Sequence, residues 1–90
     1  MSITDSVVPD QSIQCRDRGG EVVLLDTNGR VYELDPVGAV VWRQLAQGRS
    51  LEWIAGFMAG RYELDTDMCS REVVAFAAML KRHGLVQVSV

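Results

Sequence analysis

The sequence predicts an α+β fold in which a three-stranded antiparallel sheet is followed by three helices. Before residue 35, apolar residues stand in short runs that Gly19-Gly20 and Asn28-Gly29 interrupt, a pattern typical of strands. Further along, they recur at the spacing of amphipathic helices. The boundary is Asp35-Pro36, because aspartate is a favoured N-cap and proline is well tolerated at the first helical position. This order of elements indicates a winged helix-turn-helix-like architecture.

The predicted strands are three. Residues 12–16 alternate between polar and apolar side chains, and residues 21–26 form an apolar run rich in β-branched residues. Asn28-Gly29 joins this run to residues 30–34 in a hairpin, because both turn residues accept the positive φ of a type I′ turn. Since residues 30–34 are the last strand of the sheet, we expect one of their edges to have no neighbour from the same chain.

Three helices are predicted. The first spans residues 36–47, the second begins after a cap at Ser50, and the third spans residues 67–83 after a cap at Thr66 or Asp65. Residues 1–11 show no periodicity and are interpreted as a flexible N-terminal tail. Residues 12–90 then form a single domain, because a chain of this size supports one hydrophobic core.

The charge argues against a nucleic-acid binder, although a winged helix-turn-helix often binds DNA. The chain has 9 basic and 12 acidic residues and a net charge of −3, whereas such domains are usually basic. Residues 73–80, the middle of the third helix, contain no Arg, Lys, Asn or Gln to contact bases. No apolar run approaches the ~20 residues that cross a bilayer, and the N-terminus does not resemble a signal peptide. We therefore expect a cytoplasmic protein without nucleic-acid or membrane partners.

Enzymatic chemistry is also disfavoured by composition. His83 is the only histidine, and Cys15 and Cys69 lie far apart in the sequence, so neither a metal site nor an activated nucleophile is evident. Gly19-Gly20 lacks the following residues of a phosphate-binding loop. We expect no catalytic residue, no metal and no cofactor.

The third helix carries more apolar surface than one core contact requires. Beside its core stripe, Val74 and Ala78 extend this surface sideways. Either the helix simply buries a wider face, or small side chains leave a shallow trough beside the free strand edge. An extended peptide could then add a strand to the sheet, and only one of the amides of Val31 and Glu33 is expected to meet it. The residues predicted to bind such a peptide are Arg30, Val31, Tyr32, Glu33, Leu34, Val73, Val74, Ala77, Ala78 and Lys81, the last by meeting an acidic peptide residue.

Three segments resemble PqqD-like proteins, the recognition elements of ribosomally made, post-translationally modified peptides (RiPPs). They are the run VLLDTNGRVYELDPVGAVVW at residues 23–42, the pattern Leu51-x-x-Ile54-Ala55-x-x-Met58-x-x-x-Tyr62-x-Leu64-Asp65, and the pattern Val73-x-x-Phe76-x-x-x-Leu80-x-x-x-Gly84-Leu85-Val86. The resemblance implies three strands on three helices, with a leader peptide paired to the third strand and packed on the third helix. Departures from the family pattern are Val31, where an aromatic residue is common, and Ala77, where leucine is frequent.

Within that family, the chain most resembles the standalone leader-peptide-binding protein of lasso peptide biosynthesis. The hairpin around Gly29-Arg30 and the pattern Gly38-Ala39-x-x-Trp42 carry this likeness. It implies a non-catalytic adaptor that presents the leader to a separate leader peptidase and possibly to a cyclase. Three alternatives remain open: a PqqD-type chaperone for a radical SAM enzyme, a scaffolding subunit of a larger enzyme, and a winged-helix DNA regulator.

Overall fold

The computed structural model describes residues 1–89, which form five strands and three helices. In chain order these are β1 (Ser6–Pro9), β2 (Gln14–Arg18), β3 (Glu21–Leu25), β4 (Val31–Leu34), α1 (Pro36–Ala46), α2 (Leu51–Tyr62), α3 (Thr66–Arg82) and β5 (Val86–Ser89). An antiparallel sheet with the order β2-β3-β4 precedes the helices, which confirms the predicted fold class. β4 is an edge strand of that sheet.

The hairpin between β3 and β4 is turned differently from the prediction. Gly29 has a φ of +81°, but Asn28 does not adopt a positive φ, so the predicted type I′ turn is wrong. The Gly29 amide donates to the Asp26 carbonyl at 3.3 Å, and the Asp26 amide donates to the Arg30 carbonyl at 3.1 Å. This is a three-residue loop, Thr27 to Gly29, in which glycine takes the left-handed position after a tight turn.

The Asp26 side chain explains the longer loop. Its Oδ1 accepts hydrogen bonds from the amides of Asn28 and Arg30, both at 2.9 Å, and its Oδ2 accepts one from the Tyr32 hydroxyl at 3.3 Å. The hydrogen bond from the Arg30 amide contributes most to lowering the pKa of the Asp26 carboxyl. The hydrogen bonds from the Asn28 amide and the Tyr32 hydroxyl lower this pKa further. One carboxylate therefore joins the turn to the start of β4.

The N-terminal segment differs from its predicted form. Ser6–Pro9 is strand β1, which pairs antiparallel with β5 in a separate two-stranded sheet. Val7 is buried and pairs with Val88, whereas Val8 is 45% exposed. Periodicity within residues 1–11 could not reveal this strand, because its pairing partner lies at the other end of the chain.

The three helices begin at the predicted caps. Asp35 Oδ1 accepts the Gly38 amide at 2.6 Å, Ser50 Oγ accepts the Trp53 amide at 3.0 Å, and an Asp65 carboxylate oxygen accepts the Met68 amide at 3.0 Å. Each bond satisfies one of the free amides at a helix start. Asp35 directly follows β4, so the same few residues end the edge strand and begin α1.

The core leaves the inner face of β4 partly uncovered. Buried apolar side chains come from β1, β3, the three helices and residues 85–86. β4 contributes only the half-buried Tyr32 and Leu34, and β2 is exposed along its length. No helix within residues 1–89 has the length and apolar character that crossing a membrane needs, and no group of three or more His, Cys, Asp or Glu in this range could hold a metal ion.

Replacing Val7 with alanine is expected to lower the free energy of unfolding by about 1–2 kcal/mol, because it removes buried methyl groups. Val8→Ala, one residue away on the exposed side of β1, is the matched control and should change it by about 0.5 kcal/mol or less. Urea unfolding measures both. Equal, negligible effects would show that residues 1–11 behave in solution as the flexible tail that the sequence predicts.

Asp26→Asn is expected to weaken the pH dependence of stability. Because the pKa of Asp26 is lowered in the folded state, its contribution is complete above the unfolded pKa of about 4 and is lost as the pH falls through the folded value. Asp10 and Asp17 also have lowered pKa values and keep their contributions in the variant. Urea unfolding at about pH 6 and about pH 3 should therefore show a smaller acid loss for Asp26→Asn than for the native chain. An identical acid loss in the two proteins contradicts this role of the carboxylate.

Candidate functional site

A groove with a volume of about 710 Å³ lies beside β4. The end of β4, the first turns of α1, the end of α2 and one side of α3 form its walls. It is lined by Glu33, Leu34, Asp35, Val37, Gly38, Val41, Met58, Tyr62, Leu64, Met68, Cys69, Glu72, Val73, Phe76 and Met79. This lining is mostly apolar, as in pockets that bind organic ligands and peptide side chains.

The hydrogen-bond pattern of the hairpin decides which groups of β4 face outward. Residues in an antiparallel pair alternate between positions that bond to the neighbouring strand and positions that do not. The bond from the Asp26 amide to the Arg30 carbonyl makes these two residues a bonded pair. The register continues without interruption, so Tyr32 and Leu34 also bond to β3.

Val31 and Glu33 lie between the bonded positions, so both direct their amides and carbonyls away from β3 toward the free edge. The prediction that only one of these amides faces outward is wrong, because residues two apart in a strand point to the same side. The free edge thus offers two donors and two acceptors to an added strand.

A close approach between α1 and α3 shapes the inner end of the groove. A Cβ at Gly38 would lie 3.2 Å from the Phe76 ring and 3.0 Å from Asp35 Oδ1. Any larger residue here would force the ring or the capping carboxylate to move. Glycine therefore lets Phe76 of α3 pack directly against the start of α1.

Exposed apolar side chains form the rim of the groove. Val37 is 51% exposed, Tyr62 39% and Leu64 45%. Leu64 follows Glu63, which caps α2 at a φ of +52°, a conformation that non-glycine residues rarely adopt. Clustered exposed apolar side chains around a concave surface are typical of interaction sites.

The structure places the predicted site residues in four different surroundings. Glu33, Leu34 and Val73 line the groove, while Arg30, Val31 and Tyr32 belong to the hairpin beside it. Ala77 is completely buried, so it cannot contact a peptide. Val74, Ala78 and Lys81, here called the far flank of α3, are not part of the groove lining.

The opposite side of α3 faces β4. It carries Met68, Glu72, Phe76 and Met79, here called the groove flank. His83, the C-cap of α3, lies on the same side of the helix. Its ring centroid is 5.3 Å from that of Tyr32 in β4. The sequence predicts a trough over the far flank of α3. In the structure the groove lies over the opposite flank, across the core stripe.

The sequence also contains an apolar pattern that indicates the groove flank, and the predicted site residues do not include it. Met68, Phe76 and Met79 are large apolar residues on one side of the core stripe, whereas the smaller Val74 and Ala78 lie on the other side. A helical wheel shows both flanks equally well. It cannot tell which of them the sheet approaches, because that depends on the packing of β4 against α3.

Three solved structures are similar to this chain. TbiB1 in complex with the TbiA(beta) leader peptide is 26% identical, with a TM-score of 0.85 over 89% of this chain and 94% of that chain. Lasso peptide synthetase B1 complexed with the leader peptide is 24% identical, with a TM-score of 0.84 over 91% and 98%. The PqqD part of PqqCD from Methylobacterium extorquens, a stand-alone RiPP recognition element, is 19% identical, with a TM-score of 0.74 over 91% and 88%.

A protein-family model matches most of the chain. No match was found among curated protein sequences. The family model for coenzyme PQQ synthesis protein D (PqqD) matches residues 21–86, which run from the first residue of β3 to the first residue of β5. This range contains β4, the three helices and every residue of the groove. The chain therefore belongs to the PqqD family.

Proposed function

We propose that the chain is a non-catalytic adaptor that binds the leader region of a ribosomally made precursor peptide and presents it to processing enzymes. The observation that carries this proposal is the free edge of β4 alongside an apolar groove. The similar structure of TbiB1 is a complex with a leader peptide, which supports a leader-binding role for this chain.

The leader would bind as an added strand. Its backbone would exchange hydrogen bonds with Val31 and Glu33, the two positions of β4 that face outward. Every second side chain would then point toward the helices and enter the groove, where Leu34 and the groove flank provide apolar contacts. The remaining side chains would lie beside Val31, which is 60% exposed on the outer face of the sheet.

Magnitudes indicate that the groove supplies more affinity than the strand edge. A backbone hydrogen bond formed in exchange for water contributes about 1 kcal/mol, whereas burying a large apolar side chain contributes about 1.5–3 kcal/mol. Both must offset the loss of freedom of an ordered peptide. Two or three apolar anchors would therefore dominate the affinity, and the backbone ladder would set the register.

The proposed partners are the leader peptidase and possibly the cyclase of a lasso peptide pathway. This assignment is supported by the sequence resemblance at the hairpin and at Gly38-Ala39-x-x-Trp42. Delivery to a radical SAM enzyme is the second candidate, which the match to the PqqD family favours. Adding the chain to each purified enzyme with its precursor peptide separates the two, because only the true partner should process its peptide faster.

Proline substitutions test the strand edge. Val31→Pro and Glu33→Pro each remove one outward amide, and each is expected to weaken binding of the leader peptide by about fivefold to tenfold. Tyr32→Pro is the control for position, because it removes an amide that bonds to β3 and should disrupt the hairpin. Isothermal titration measures binding, and circular dichroism checks folding. Native affinity in folded Val31→Pro and Glu33→Pro proteins would rule out strand addition at β4.

Neighbouring glutamate substitutions test which flank of α3 meets the peptide. Met79→Glu places a carboxylate in the groove, where an apolar anchor would have to cover it, and should lower leader affinity at least about tenfold. Ala78→Glu, one residue away on the far flank, should change it by about twofold or less. Circular dichroism establishes that both variants fold. The opposite order of effects would place the peptide on the far flank, as the sequence alone predicts.

A further inference from the structure

We infer that the outward face of α2 is a self-association surface, on which two copies of this chain pair their α2 helices in antiparallel orientation. The helix presents two separate faces. It lines the peptide groove with Met58 and Tyr62. Trp53, Gly56 and Gly60 lie on the opposite side of the helix, where they are exposed and outside the groove lining. Pairing through this face therefore leaves the groove open.

A ridge of aromatic and basic side chains runs along the outward face. It comprises Arg49, Trp53, Phe57 and Arg61, four residues apart, here called the α2 ridge. The Trp53 and Phe57 rings stack with their centroids 5.2 Å apart, and the Arg49 guanidinium lies 4.3 Å from the Trp53 centroid. Trp53 is nevertheless 40% exposed. Tryptophan and arginine are enriched among the residues that dominate binding at protein interfaces, and here they are already held in place.

Two exposed glycines one turn apart, Gly56 and Gly60, form a shallow channel beside the α2 ridge. A Cβ at either position would meet nothing within 4 Å, and neither residue has a positive φ. Neither packing nor backbone conformation within residues 1–89 therefore requires glycine here. A glycine inside a helix lowers stability relative to alanine, and its use is to let another segment approach closely. The glycine channel is open to a segment from outside the chain.

The α2 ridge and the glycine channel fit each other when two copies pair in antiparallel orientation. Trp53 and Gly60 are seven residues apart, so they point in directions that differ by only about 20°. If the midpoint of the pairing lies between Gly56 and Phe57, Trp53 and Gly60 both lie about 5 Å from it along the helix. The Trp53 ring of one copy then lies over the partner's Gly60, and the two-fold symmetry repeats this contact.

The charges at the two ends of α2 favour the same arrangement. Arg49 precedes the helix and Glu63 follows it, both are exposed, and neither forms a salt bridge within residues 1–89. An antiparallel pair brings Arg49 near the partner's Glu63, whereas a parallel pair would bring like charges together. One face thus carries a ridge, a channel, a basic end and an acidic end that complement one another. This self-complementarity favours a second copy over an unrelated partner as the occupant.

Sedimentation equilibrium between about 5 and 500 µM measures the association directly. An interface of one helix from each copy is small, so we expect a dissociation constant on the order of 10–100 µM. Tryptophan emission gives an independent readout. Trp42 is 3% exposed and Trp53 is 40% exposed, so a blue shift on association reports the burial of Trp53.

Gly60→Gln separates an interface from an effect on the fold. Its side chain would occupy the place of the partner's Trp53 and should weaken association at least about tenfold. The midpoint of urea unfolding should rise, because glutamine is a better helix former than glycine. Gly60→Ala should give the same two signs with a smaller loss of association. Gly20→Gln makes the same change at an exposed glycine without positive φ in the β2–β3 turn, and should leave association unchanged.

A charge swap tests the antiparallel orientation. Arg49→Glu and Glu63→Lys should each weaken association about threefold to tenfold, because each places like charges together at both ends of the pair. The double variant restores opposite charges and should recover the native dissociation constant to within about twofold. Single variants without effect, or a double variant weaker than both, would overturn this orientation.

The outcomes also separate self-association from the proposed function. A chain that stays monomeric up to about 500 µM, or a dimer that Gly60→Gln does not weaken, would overturn the inference. A monomeric chain whose Gly60→Gln variant no longer accelerates the processing enzyme would assign this face to that enzyme instead. Gly60→Gln should bind the leader peptide with native affinity, and Met79→Glu should associate like the native chain. Loss of leader binding in every protein, with the dimer intact, would overturn the proposed function alone.

Discussion

The candidate site depends on the hydrogen bonds that the Asp26 carboxylate accepts. It bonds to two amides of the turn and to the Tyr32 hydroxyl, and so holds the loop and the first part of β4 together. The register of the hairpin follows from this loop, and the register decides which amides of β4 face outward. A shift by one residue would turn the outward groups toward β3 and move Tyr32 and Leu34 away from the helices.

A free strand edge is also a hazard, because it can pair with the edge of another molecule. This one is limited by its length of four residues and by the charge of Glu33. Asp35-Pro36 ends the strand immediately and turns the chain into α1.

The stable core and the groove use different parts of the same helices. Within α3, Cys69 and Val73 are buried and also form the base of the groove, while Phe76 and Met79 remain half-buried. The groove therefore sits on a rigid base but keeps apolar side chains within reach of a ligand. This arrangement limits the ordering cost of binding on the side of the protein.

Local chemistry in the sequence determined the elements of the fold: the caps at Asp35, Ser50 and Asp65, the hairpin that joins β3 to β4, and the apolar spacing of the helices. Tertiary structure alone decided the pairing of β1 with β5 and the flank of α3 that faces β4. Caps and periodicities are set by residues a few positions apart, so one sequence shows them. Strand partners and helix rotation depend on contacts between distant segments, and a helix with apolar residues on both sides of its core stripe is compatible with either rotation.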